Sequence, residues 1–90
     1  NLYDNAIVLN TDAQTFLSKT NEIFDIAFLD PPYYSKEIQR AFPILIRVMN
    51  KNGTIICENP IDEELPQCIE GFTLCKIYRY GKIKVSIYRN

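Results

Sequence analysis

Apolar positions along this chain fall into short continuous runs separated by turn residues. Ala6-Ile7-Val8-Leu9 is apolar and β-branched and predicts a buried strand. Asn10-Thr11-Asp12 then reads as a helix start, with Thr11 or Asp12 as the cap. A short helix from Ala13 to Lys19 follows, Phe16 and Leu17 facing inward. Ile23 to Leu29 is a second strand, nearly continuously apolar, as a parallel strand covered on both faces should be. Asp30-Pro31-Pro32-Tyr33 ends it abruptly, because neither proline can donate to a ladder.

Ile38, Phe42, Leu45, Ile46 and Met49 then recur at helical spacing. Ser35 is the expected cap, with Glu37 in the first turn, and Pro43 predicts a break or kink near Phe42. Asn52-Gly53 is the expected helix end. Thr54 to Glu58 is a third buried strand, closed by Asn59-Pro60. An acidic loop (Asp62, Glu63, Glu64, Pro66) leads to two strands, Phe72 to Tyr80 and Lys82 to Tyr88, around a Tyr80-Gly81-Lys82 turn. Alternation from Lys82 to Tyr88 predicts one wet face. The order β-α-β-α-β-loop-β-β predicts one α/β domain over residues 1–90, with parallel units first and an antiparallel hairpin last.

Composition narrows the chemistry. The chain has no His, which excludes Ser-His-Asp and Cys-His catalysis and His-dependent zinc sites within it; no metal site is expected. Cys57, Cys68 and Cys75 are odd in number and lack CxxC spacing, so they read as reduced thiols of a cytoplasmic protein. No apolar run approaches the roughly 20 residues of a membrane span, so no membrane partner is expected. The net charge of −1 hides an asymmetry. Residues 71–90 carry Lys76, Arg79, Lys82, Lys84 and Arg89 and no acid. That pattern fits either a solvated hairpin face, the reading the charges alone favour, or a surface oriented on nucleic acid.

Asp30-Pro31-Pro32-Tyr33 stands out because it follows a strand directly, and the carboxyl edge of an open α/β sheet is where ligands bind. The plain alternative is a strand-ending turn. The chemistry that fits is methyl transfer to a planar exocyclic amine, whose lone pair is delocalised into its ring. A carboxylate (Asp30) and a carbonyl fixed by the proline pair (Pro31) would accept both N–H bonds and localise that lone pair, acting by orientation and fixed dipoles. The Tyr33 ring would stack on the flat base, worth roughly 1–3 kcal/mol.

This segment resembles the class I S-adenosylmethionine-dependent methyltransferases, in which Asp, Asn or Ser precedes Pro-Pro and Tyr or Phe. Val8 to Ala13 with Phe16-Leu17, Phe24 to Tyr33, Gly53 to Glu58 and the tail Tyr80 to Tyr88 are similar to the RsmD-type 16S rRNA guanine-N2 methyltransferases. The resemblance implies a Rossmann-like sheet, S-adenosylmethionine as cofactor, and RNA (16S rRNA or a small-subunit assembly intermediate) as partner. It assigns catalysis to Asp30, Pro31, Pro32 and Tyr33, and contacts with the cofactor's adenine to Asp12 and Ala13. Asp12 serves equally as a helix cap. Tyr34, Lys82 and Lys84 become candidate nucleic-acid contacts, with an exposed loop tyrosine the plain reading of Tyr34.

The Gly-rich turn and the ribose-binding acid of that family have no counterpart here, since Gly53 is the first glycine. Residues 1–90 are therefore expected to be the C-terminal part of a methyltransferase domain, inactive alone and incomplete without N-terminal strands. In the implied strand order 3-2-1-4-5-7-6, strand 3 would lose its neighbours and one flank of strand 4 would stand bare, inviting edge-strand oligomers. The alternatives are a DNA adenine-N6 or protein glutamine methyltransferase fragment, and a non-enzymatic α/β interaction module.

Overall fold

A computed structural model describes residues 6–9, 22–29 and 34–90. Its elements are β1 (Ala6–Leu9), β2 (Phe24–Leu29), α1 (Ser35–Ile46), β3 (Met49–Pro60), β4 (Cys68–Ile69), β5 (Phe72–Tyr80) and β6 (Ile83–Arg89). They form one six-stranded sheet in the order β1-β2-β3-β6-β5-β4. β1, β2 and β3 are parallel, and β6, β5 and β4 pair antiparallel. The expected α/β class, with parallel strands and then a hairpin, is what the sheet shows. The helix expected at 13–19 lies outside the described residues.

The bare flank expected on β2 is not there. β1 pairs along it in register, Ala6 opposite Ile26 through Leu9 opposite Leu29. An unpaired strand edge carries a row of unsatisfied N–H and C=O groups. The apolar run 6–9 satisfies them.

α1 starts one residue earlier than expected. Tyr34, extended at φ −76° and ψ 155°, takes the N-cap position, so Ser35 is the first helical residue. The Glu37 carboxylate accepts the Tyr34 backbone N–H at 3.0 Å, closing one half of a capping box. The helix runs on through Pro43 to Ile46 instead of breaking at Phe42. Pro43 withholds an N–H from the Gln39 carbonyl, but both residues are exposed, where an unpaired carbonyl costs little. Ile38, Phe42 and Leu45 form the fully buried stripe of α1.

The helix also ends early, at Arg47, and Met49 to Gly53 belong to β3. Between the Phe24–Met49 and Ile26–Thr54 pairs, one residue of β2 faces four of β3, so the strand bulges. The bulge is held by Asn50 Nδ2 donating to Asp25 Oδ1 and by the Asn52 N–H donating to Asn50 Oδ1, both 3.1 Å. Gly53 is needed for close approach: a Cβ there would lie 2.9 Å from the Asn50 carbonyl and 3.2 Å from that of Asp25. Two tight turns close the antiparallel part. Glu70 and Gly71 both have positive φ, and Gly81 leads the Gly81-Lys82 turn at φ 59°.

The core lies between α1 and one face of the sheet. Ile7, Ala27, Ile55 and Tyr88 form one row across β1, β2, β3 and β6; Leu9, Leu29, Cys57 and Ser86 form the next. Phe42 meets Tyr88 edge-on, centroids 5.1 Å apart. The segment after β3 folds over the same face. Asn59 Nδ2 donates to the Glu63 carbonyl at 3.3 Å, and the Tyr88 hydroxyl donates to that of Pro66 at 2.6 Å.

Candidate active site

The parallel pairing of β1, β2 and β3 ends together at one edge, with Leu9, Leu29 and Cys57 in register. Asp30, Pro31, Pro32 and Tyr33 follow Leu29 directly; they lie outside the described residues, as do Asp12 and Ala13. Their neighbourhood is described. Tyr34 follows the motif, 59% exposed at the start of α1. On the other side, β3 continues into Glu58 and Asn59.

The hairpin reaches this edge because β6 is antiparallel to β3. Asn59 pairs with Lys84 and Pro60 with Ile83, which carries the Gly81-Lys82 turn to the carboxyl ends of the parallel strands. The Lys82 carbonyl accepts the Ile61 N–H at 2.9 Å and fastens the turn there. Two predicted nucleic-acid residues, Tyr34 and Lys82, are thus exposed around the edge where the motif begins.

Lys84 is placed otherwise. The expected wet face of β6 carries Lys84, Ser86 and Tyr88, and this face is the buried one; Lys84 is 6% exposed. The alternation was legible, but the side covered by α1 and the 61–67 segment takes the polar positions. Lys82 is left as the exposed member of the pair.

Asn59 and Ser86 were not singled out by sequence. Both are fully buried, and Asn59 Oδ1 and Ser86 Oγ have no hydrogen-bond partner among the described residues. Asn59-Pro60 read only as a strand end, and nothing in its spacing marks burial. Burial pushes the Cys57 thiol well above its ordinary range, which makes it an inert core residue, as its apolar run predicts. Tyr88 is shifted the same way, chiefly by burial and then by Cys57 and Cys68.

On the side away from α1, Val8, Phe28, Ile56, Glu58 and Val85 line an open trough of about 470 Å³. The described residues do not by themselves fit a complete nucleotide cofactor. Gly53 lies at the amino end of β3, and Gly71 and Gly81 lie in hairpin turns, so none lets backbone approach a ligand after a parallel strand. No three His, Cys, Asp or Glu side chains among the described residues converge on a metal site. No described helix is long and apolar enough to cross a membrane.

The fold has counterparts in known proteins. An uncharacterized methylase of Rickettsia prowazekii is 31% identical over 80 residues, 84% of this chain and 33% of that protein. A conserved hypothetical protein of Streptococcus pyogenes superposes with a TM-score of 0.77 at 31% identity, over 87% of this chain and 50% of its own. A putative methylase of Haemophilus influenzae gives 0.69 at 29% identity, over 87% and 50%. A putative methyltransferase of Escherichia coli, at 20% identity and a TM-score of 0.72 over 87% and 45%, shares the fold. The chain thus spans about half of each of these structures and a third of the Rickettsia protein. The sequence profile of one family, conserved hypothetical protein 95, matches residues 1–89, from before β1 to the end of β6. The chain belongs to the conserved hypothetical protein 95 family.

Proposed function

We propose that residues 1–90 are the amine-holding part of an S-adenosylmethionine-dependent methyltransferase domain. Its target is an exocyclic amino group of a base, guanine N2 in 16S rRNA of a cytoplasmic small-subunit assembly intermediate. The observation that carries this reading is the position of Asp30-Pro31-Pro32-Tyr33 in the sequence, directly after β2 at the edge where the parallel pairing of three strands ends. The methylase names of the Rickettsia and Haemophilus relatives support it.

In this reading the Asp30 carboxylate and the Pro31 carbonyl each accept one N–H of the target amine. The lone pair is then localised and held in one direction. Pro32 keeps the carbonyl from turning away, and Tyr33 stacks on the base. Tyr34 and Lys82 flank the same edge and contact the RNA strand. Asp12 and the backbone at Ala13 meet the cofactor's adenine; the rest of the cofactor site belongs to polypeptide outside these residues, and the isolated chain is inactive.

The test is labelled-methyl incorporation by a polypeptide of the relatives' length carrying this sequence. Small-subunit rRNA, duplex DNA and release factor are offered in parallel. Methylation of rRNA alone, with Asp30→Ala lowering turnover by about 10²–10³ at unchanged melting temperature, is the expected result. Methyl groups in DNA or protein alone would redirect the reading to the adenine or glutamine enzymes. Equal loss of turnover and stability in Asp30→Ala would make Asp30 a structural turn residue.

A further inference from the structure

On the side of the sheet away from α1, the outer hairpin strand differs in character from its neighbours. Val8, Phe28, Ile56 and Ile87 make that side apolar across β1, β2, β3 and β6. On β5 the same side carries Lys76, Tyr78 and Tyr80, opposite Ile87, Val85 and Ile83. All three are exposed, Tyr80 by 64%. Side chains two apart on a strand share a face at about 6.6 Å spacing, so the three form a file roughly 13 Å long. It starts beside the Gly81-Lys82 turn, at the edge where the motif begins, and runs away from it.

The file has room and chemistry for a ligand. β4 pairs with β5 only at Phe72 and Thr73, so no described strand lies outside β5 from Lys76 to Tyr80. Cys75, Lys76, Tyr78, Ile87 and Arg89 line a hollow of about 240 Å³, which offers a ring, an apolar floor and two cations. The Lys76 ammonium lies 5.7 Å from the centroid of the Tyr78 ring. An exposed cation–π contact is weaker than a nucleobase stacked on the same ring, so a base takes the ring and releases the ammonium to a phosphate.

Charge selects the occupant. Residues 71–90 hold five cations and no acid. Glu58 is on this side too, but on β3, two strands inward from Tyr78. An anionic strand with free ring faces fits this surface, whereas a duplex keeps its bases stacked on one another.

We propose that Lys76, Tyr78 and Tyr80, with Arg89, form a platform for single-stranded RNA. Bases stack on the two tyrosines, and backbone phosphates meet Lys76 and Arg89. Because the file leads away from the motif edge, the strand seated on it is the one adjoining a base held there. This platform rests on RNA being the substrate class, and adds to that reading a surface outside the motif whose occupancy needs no methyl transfer.

The test uses the polypeptide of the relatives' length carrying this sequence, without S-adenosylmethionine. A fluorescein-labelled RNA of about 12 nucleotides and mixed sequence, single-stranded or annealed to its complement, is titrated and read by anisotropy. The single strand should bind about tenfold tighter than the duplex or better. Tyr78→Ala and Tyr80→Ala should each weaken it about tenfold, while Tyr78→Phe, which keeps the ring, stays within about twofold of the parent. Lys76→Gln should lower the slope of log affinity against log salt by about 0.7. Both tyrosines are exposed, so their variants should keep the fold, which circular dichroism checks; should one unfold, the salt slope of Lys76→Gln decides. Equal binding of single strand and duplex would overturn the proposal, as would alanine variants that bind like the parent or a Tyr78→Phe variant as weak as Tyr78→Ala. Methylation of rRNA alongside any of those results sinks the platform alone. Ring-dependent binding of the single strand by a polypeptide that transfers no methyl group sinks the methylation reading alone.

Discussion

Ile55 and Ile56 are adjacent and chemically identical, yet one is fully buried and the other only half-buried. Ile55 is fully buried between Ala27 and Tyr88, on the α1 side. Ile56 looks the other way, into the row of Phe28 and Ile87. The same inversion recurs on β6, where Lys84 and Ser86 are buried while Ile83, Val85 and Ile87 lie on the open side. Hydrophobicity alone therefore does not say which side of a sheet is covered. The side that has a helix and a returning loop is buried, whatever residues stand on it.

The largest test of this contrast is a pair of substitutions. Ile55→Asp puts an unpaired carboxylate into the core and should abolish cooperative unfolding, whereas Ile56→Asp should cost the isolated chain about 1 kcal/mol or less. Urea denaturation followed by circular dichroism separates them, and equal losses would mean the open side is as tightly packed as the other. Next is Gly53→Ala, where the new methyl meets the Asn50 and Asp25 carbonyls; about 1–3 kcal/mol should be lost, read from the urea midpoint.

A smaller effect is expected from alkali, and only through the covered side. Cys57 and Tyr88 both have their ionisation raised by burial in the folded chain, above ordinary values of 9.0 and 10.0. The unfolded chain gives up these protons first, so stability is full below about pH 9 and declines as pH rises beyond it. A urea midpoint unchanged from pH 9 to 10.5 would contradict that. The least effect belongs to Glu37→Ala, which frees the Tyr34 N–H at the exposed start of α1 and should lower stability by about 0.5–1 kcal/mol in thermal melts.

Much of the fold was legible in the residues. The apolar run 24–29, the core of β3 and the hairpin around Gly81 fall where their patterns place them. The end of α1 departs from its local pattern for one reason: local signals do not see neighbours. Met49 continues the helical spacing of Ile38, Phe42 and Leu45, but it pairs with Phe24 as a strand residue. Asn52-Gly53 has the composition of a helix end, yet Gly53 serves a bulge against Asp25. The candidate site divides similarly. Its motif is a statement about sequence, while the arrival of Lys82 at the same edge depends on the register of β6 against β3.

The sequence by itself determined the order of elements, the acid and prolines at the end of β2, and the absence of histidine chemistry, because these depend on residue type and short-range spacing. Tertiary structure decided that β1 lies against β2, that Lys84 is buried while Lys82 is not, and which of two apolar sheet sides has a helix on it. Those outcomes depend on pairing and coverage between segments distant in sequence, which a period of two along a strand leaves open.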